Sequence, residues 1–247
     1  MKKITLILIF LAQFLNLSSN EPKLEEVIKD LNNPWSLSFV NETDILITEK
    51  SGTLLKVNLI NKKIKKLTHN LNILEDGQGG LLEVLFDNNE IYVSFSENRG
   101  GGKSSTSVAK ASIANNSLNF KNIFRAEPPI NSGYHFGSRL VIKDNYLFIT
   151  VGERGKGMIA QDATKHPGSI IRIHLDGSIP ANNPTFEKKK NWLPEIYQIG
   201  VRNPQGMALS PFDGKIYLTN HGAKGGDWLG IVKKGENYGW KILGWGG

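Results

Sequence analysis

His135, in the stretch SGYHFGSRL, is one of five histidines in this chain. An imidazole there can take a proton at neutral pH, provided that other residues orient it and hold its reactant. The groups suited to that work are Glu153, a carboxylate; Arg202, a guanidinium; and the side-chain amides of Gln78, Asn203 and Gln205. Meeting in one pocket, a base, an acid to orient it, a cation and amides would make an active site. Taken singly, each also fits a hydrogen-bonded loop residue, and Arg202 fits a structural ion pair. The choice rests on whether the fold brings them together.

The elements that would do so are strands. Past residue 20 the sequence has almost no stretch of helical period; short β-branched and aromatic runs alternate with Gly, Asn, Asp and Pro. A pair of strands repeats: PWSLSF with DILITE, GGLLEVLF with EIYVSFSE, FGSRLVI with YLFITVGE, and PQGMALS with KIYLTNHG. The second strands start at Ile45, Ile91, Leu147 and Ile216, at intervals of 46, 56 and 69 residues. Repeats of this length with four strands each predict an all-β chain folded as a β-propeller. The first unit shows four strands, adding GTLLKVNL and KIKKLTHNL, and the fourth shows two plus WLGIV. The expected architecture is therefore about four blades of a larger ring, with a closed four-bladed ring as the alternative, occupying residues 21–247, with LEEVIKD (Leu24 to Asp30) as a lone outer strand ahead of the first blade. First strands line the channel of a propeller. Gln78, His135, Arg202, Asn203 and Gln205 all precede such strands, and Glu153 and NHGAKGGD follow second strands, so all fall at one mouth.

GGGKSST (Gly100 to Thr106) echoes a phosphate-binding loop, but Glu97 stands where that motif needs glycine, and the stretch reads as a hairpin turn. The net charge of +7 is spread along the chain, with one dense run, EKKKN (Glu187 to Asn191), and no nucleic-acid-binding motif accompanies it. Residues 1–20 pair two lysines with an apolar run from Ile4 to about Leu17 and then small polar residues, the layout of a secretory signal peptide. With no cysteine, the chain carries no disulfide and no thiolate metal site. A periplasmic or secreted protein with no membrane segment after cleavage is the expectation.

NPWSL, GQGGLLEV, HFGSRLV, VGERG, IGVRNPQGMA, NHGAKGGD and GENYGW occur in that order from Asn33 onward. Together they resemble the soluble pyrroloquinoline quinone (PQQ)-dependent sugar dehydrogenases, in particular the bacterial aldose sugar dehydrogenases. The resemblance implies a six-bladed propeller that holds PQQ and calcium over its channel and oxidises the anomeric carbon of aldoses to lactones. His135 matches the family's base, which takes the proton of the anomeric hydroxyl, and Glu153 matches the acid that orients it. Gln78, Arg202 and Asn203 match cofactor-contacting positions, with Arg202 set against the quinone oxygens. The backbone carbonyls of Gly222 and Ala223 match calcium ligands, and Tyr238 keeps its place near a second, structural calcium. The resemblance does not fix the electron acceptor.

The sequence departs from the family at three places. Tyr134 stands where Asp or Asn is common, Ala223 replaces a proline, and Trp228 replaces a glutamate of the second calcium site. The family's further Lys and Arg residues around the cofactor come from later blades, so the chain reads as truncated at its C-terminus, and by itself as either inactive or dependent on a second polypeptide. A non-catalytic propeller that binds a partner is the competing reading. A calcium-dependent lactone or ester hydrolase is a third, although the mouth offers it little beyond Glu153.

Overall fold

The computed structural model describes residues 23–113 and 117–244. The expected signal peptide lies outside them. Among the described residues no helix is long and apolar enough to cross a membrane.

Among the described residues sixteen strands form four separate antiparallel-based sheets, in chain order, that do not close into a ring. Blade 1 comprises β1 (Pro34–Phe39), β2 (Asp44–Glu49), β3 (Thr53–Asn58) and β4 (Ile64–His69). In blade 2 are β5 (Leu81–Asp87), β6 (Glu90–Asn98) and β7 (Ser104–Ser112), a two-residue β8 (Ser117–Leu118), and β9 (Lys121–Arg125). β8 leaves its own blade and pairs parallel with β4. Blade 3 is β10 (Gly137–Lys143), β11 (Tyr146–Val151), β12 (Ser169–His174) and β13 (Ile196–Ile199), and blade 4 is β14 (Gly206–Leu209), β15 (Ile216–Asn220) and β16 (Trp228–Ile231). The four repeats read from the sequence are thus four blades, the last with three strands. GGGKSST is a hairpin turn between β6 and β7, closed by Arg99 N–H on the Lys103 carbonyl at 2.9 Å. Among the described residues the one α-helix, α1 (Pro184–Glu187), lies within the long loop between β12 and β13, and a 3-10 turn spans Gly157–Gln161.

The alternation of strand side chains buries one face of each blade against the next. Leu46 and Leu54 of blade 1 pack with Leu81, Val84, Ile91 and Val93 of blade 2. Tyr92 and Val108 of blade 2 pack with Leu140, Leu147, Ile149 and Ile171 of blade 3. Val141, Phe148 and Ile170 of blade 3 meet Met207, Ile216 and Leu218 of blade 4. Each fully buried aliphatic or aromatic side chain contributes about 1.5–3 kcal/mol, so these seams hold the array together.

A polar strut repeats at every seam. Thr48, Ser94 and Thr150 stand three residues into successive second strands, all fully buried. Each hydroxyl accepts a backbone N–H from its own first strand (Ser36, Glu83 and Arg139, at 3.1, 3.0 and 2.8 Å). Each then donates to a carbonyl of the next blade (Leu82, Ser138 and Pro204, at 2.5, 2.6 and 2.8 Å). Thr219 holds the equivalent place in blade 4, where it is exposed.

LEEVIKD is not a strand. Residues 23–30 have no regular structure, and Ile28 and Leu31 lie on the free face of blade 1 against Ile45, Ile47, Leu55 and Val57. A segment lying on the face of a sheet, away from its edge, has no ladder to join, so the alternation of LEEVIKD meets no pairing partner.

Candidate active site

In blades 1, 2 and 3 the pairing of first and second strands slips in register just inside the first strand, between Pro34 and Ser36, Leu81 and Val84, and Gly137 and Leu140. Such bulges re-aim the chain entering a strand. In blade 3 the entering segment carries His135, whose φ is +52°. A side chain in that left-handed region is strained by about 1–2 kcal/mol and persists only where neighbours hold it. They do so from three blades.

From blade 2, the Gln78 side-chain oxygen accepts the His135 backbone N–H at 2.8 Å, while Gln78 N–H donates to the Gly133 carbonyl at 2.7 Å. Within blade 3, Arg154 N–H donates to the His135 carbonyl at 3.2 Å. The chain passes so close to Gly152 that a Cβ there would lie 2.2 Å from that carbonyl oxygen. From blade 4, the Asn203 side-chain oxygen accepts the Gly137 N–H at 3.1 Å. Asn203 is itself buried and held by Asn220, whose Oδ1 accepts the N–H groups of both Arg202 and Asn203 at 3.0 Å.

The side chain is fixed as tightly as the backbone. His135 Nδ1 lies 2.5 Å from Glu153 Oε1, and the second carboxylate oxygen accepts the Gly157 N–H at 2.5 Å. Glu153 is 2% exposed, and its backbone N–H donates to the Arg202 carbonyl at 2.8 Å. An ionised carboxylate can only accept a hydrogen bond, so the Nδ1 facing it carries the hydrogen and Nε2 keeps its lone pair. The imidazole is 12% exposed. That is the tautomer and the access a proton acceptor needs.

Arg202 lies at the same mouth, half-buried, its guanidinium 5.5 Å from the centre of the Trp240 ring and 3.4 Å from the His221 carbonyl. The Gly222 and Ala223 carbonyls belong to the turn that follows β15. Gly222 N–H donates to Asp227 Oδ1 at 2.7 Å across that turn. No group of three or more His, Cys, Asp or Glu side chains gathers among the described residues, and the oxygens offered at this turn are its backbone carbonyls and the Asp227 carboxylate. Tyr238 packs on Trp228 and donates its hydroxyl to the Ile231 carbonyl at 2.6 Å. Gln205 lies aside, on His221 at 2.9 Å.

Arg154 was not foreseen. It is 1% exposed, and its guanidinium stacks 3.7 Å from the centre of the Phe136 ring. It donates to the Tyr134 carbonyl at 2.9 Å, to the Ser104 carbonyl at 2.8 Å, to Ser104 Oγ at 3.0 Å and to the Ser132 carbonyl. Burial pushes this group down to about 10, against the pull of Asp76 and Glu153, so it stays charged. An arginine in the glycine-rich stretch GERGKG carries no sequence mark of burial; only its place next to Glu153 hinted at the site.

A family model for glucose/sorbosone dehydrogenase matches residues 31–247. Aldose sugar dehydrogenase YliI of Escherichia coli (strain K12) is 37% identical over 232 residues, which cover 90% of this chain and 62% of that protein. Quinoprotein glucose dehydrogenase B of Acinetobacter calcoaceticus is 29% identical over 268 residues, 93% of this chain and 54% of the relative. This chain therefore spans less than two thirds of either relative's length. The apo form of the soluble aldose sugar dehydrogenase from Escherichia coli superposes with a TM-score of 0.85 at 35% identity, over 90% of this chain and 66% of that one. The PQQ-bound form of an aldose sugar dehydrogenase from Streptomyces coelicolor shares the fold, with a TM-score of 0.76 at 24% identity.

Proposed function

The chain belongs to the glucose/sorbosone dehydrogenase family, and we propose that its blade 3 mouth oxidises the anomeric carbon of an aldose to the lactone, with PQQ as the acceptor. The observation that carries this reading is the His135–Glu153 pair: a buried carboxylate 2.5 Å from Nδ1 of an imidazole whose other nitrogen is left to accept a proton.

The mouth suits an anionic cofactor. The Glu153 carboxylate is spent on His135 and Gly157, while Arg202 stays half-buried with a single long contact from its side chain to a carbonyl. Gln78, whose oxygen is committed to His135 N–H, has its NH2 group left to donate. Asn203 contributes differently, as a brace for the entry to β10. PQQ, when bound, supplies the two-electron acceptor for the hydride that leaves the anomeric carbon. His135 Nε2 takes the anomeric hydroxyl proton as the carbon–oxygen bond becomes a carbonyl. Glu153 keeps the imidazole in the accepting tautomer and stabilises its cation once the proton arrives. Arg202 places fixed positive charge where negative charge develops. The Gly222 and Ala223 carbonyls are hard oxygen donors that would contribute to holding a calcium ion, which takes 6–8 oxygens, the rest coming from other ligands and water. The leader-like residues 1–20 support export to the periplasm.

The test is dye-linked aldose oxidation with added PQQ and calcium, comparing His135→Ala with the unaltered protein. Loss of turnover by about 10²-fold or more is expected. A folded variant with unchanged turnover removes His135, and with it this reading.

A further inference from the structure

We propose that Arg154 is a positioning residue, a buried guanidinium that fixes the segment carrying His135 and so aims the base. The proposal rests on the reading of His135 as that base.

The carbonyls of residues 132 to 135 are all engaged, and three of the four end on Arg154. Ser132 and Tyr134 accept from its guanidinium, and His135 accepts from its backbone N–H. The remaining one, Gly133, accepts from Gln78 N–H. On its far side the guanidinium is anchored to the carbonyl and hydroxyl of Ser104, at the start of β7 in blade 2. Below it lies the Phe136 ring, whose own carbonyl accepts the Thr106 hydroxyl at 2.7 Å. One side chain therefore ties the loop ahead of β10 to the neighbouring blade, while the residue before it holds the imidazole.

A role in folding alone accounts poorly for this choice. Burying a guanidinium is unfavourable, and well-packed apolar residues replace buried charges at little loss or with a gain. What an apolar residue lacks is a rigid fork of donors that grips several carbonyls at fixed angles. That matters where a strained φ must be held to a fraction of an ångström, because a shift of 1 Å at a catalytic group lowers rate about 10²-fold.

Arg154→Met and Arg154→Lys test the proposal, with Leu46→Ala at the seam of blades 1 and 2 as a control for general destabilisation. Two readouts are taken: the division of any effect between kcat and KM, and the far-downfield proton resonance of the imidazole N–H held by Glu153. Arg154→Met is expected to lower kcat about 10²-fold with the sugar KM within a few-fold of its original value, and to broaden or abolish the resonance. Arg154→Lys, whose ammonium reaches one or two of the carbonyls, is expected to fall between and decides the matter if the methionine variant does not fold. The proposal is overturned if a folded Arg154 variant keeps kcat and the resonance, or if Leu46→Ala lowers kcat to the same degree. The resonance does not depend on turnover. If His135→Ala proves fully active, the reading of the site fails while the positioning role remains separately decided.

Discussion

Replacing Glu153 by glutamine changes one heavy atom at the most constrained point of the site, and its effect can be worked out from the geometry. The carboxylate serves two donors at once, His135 Nδ1–H and Gly157 N–H, each at 2.5 Å. An amide has one oxygen. If that oxygen stays with Gly157, the NH2 group faces Nδ1, which must then accept. The ring proton moves to Nε2, the nitrogen that has to take the substrate's proton, and the base is lost. If the oxygen turns to Nδ1, the NH2 group meets the Gly157 N–H, donor against donor, at a side chain that is 2% exposed. Such an unmatched pair costs about 1–3 kcal/mol, so the first arrangement is favoured unless the loop at Gly157 moves. The Asp-to-Asn change in serine-protease triads, which forces the same tautomer, lowers kcat by about 10⁴, and this sets the upper end of the expectation. Glu153→Gln should therefore lower kcat by roughly 10²- to 10⁴-fold, with the sugar KM changed little because the Glu153 side chain is 2% exposed and both its oxygens are taken by His135 and Gly157. Steady-state dye reduction gives both constants, and near-ultraviolet circular dichroism with a thermal melt establishes that the variant is folded. A folded Glu153→Gln protein with kcat within three-fold of the original would refute the assignment of Glu153 as the group that sets the tautomer.

Two further outcomes follow from the same coordinates. Gly152→Ala places a methyl group 2.2 Å from the His135 carbonyl, a backbone atom that cannot step aside, so the variant should melt several degrees lower and lose kcat even where it folds. Equal melting temperatures for the two proteins would show that the strands part without strain. Glu83, on the channel side and paired with Arg139, is pushed up to about 7 by burial, which outweighs the opposing pull of Arg139. Its folded value lies above the unfolded one near 4.5, so its contribution is fully present below about pH 4.5 and is lost as the pH rises toward about 7, by up to roughly 3 kcal/mol. Urea midpoints measured across that window should fall less steeply in Glu83→Gln, and identical slopes would contradict the assignment.

Much of the fold was legible because each second strand carries β-branched and aromatic residues at the same offset, and blade seams need little else. The recurring hydroxyl of Thr48, Ser94 and Thr150 was also in the sequence, but a reading tuned to apolar runs passes over a polar residue within them. LEEVIKD misled because alternation reports a strand's faces and not whether an edge lies beside it. The two-residue β8 escaped because a parallel bridge to blade 1 leaves no pattern of its own. At the site, the positions of Gln78, His135 and Asn203 ahead of first strands placed them together. The pairing of His135 with Glu153 came from resemblance, since eighteen residues and a hairpin separate them. What Gln78 and Asn203 do with their oxygens, bracing a backbone, is a matter of angles that no spacing encodes. Arg154 shows the same limit more sharply: its burial depends on carbonyls of two blades turning toward one point.

The struts between blades bear on how the molecule comes apart. In an array whose units touch only their neighbours, the opening of one seam bears mainly on the blades that adjoin it. The segment around His135 spans two interior seams, anchored through Gln78 and Ser104 on one side and through Asn203 on the other. Fraying of blade 1 can leave it untouched. Release of blade 4, which has three strands and one strut from Thr150, removes the Asn203 brace and the Arg202 carbonyl that holds Glu153. The site is thus sensitive to the seam between blades 3 and 4 and insulated from loosening of blade 1. Amide hydrogen exchange at Gly137 should follow the exchange of blade 4 rather than that of blade 1.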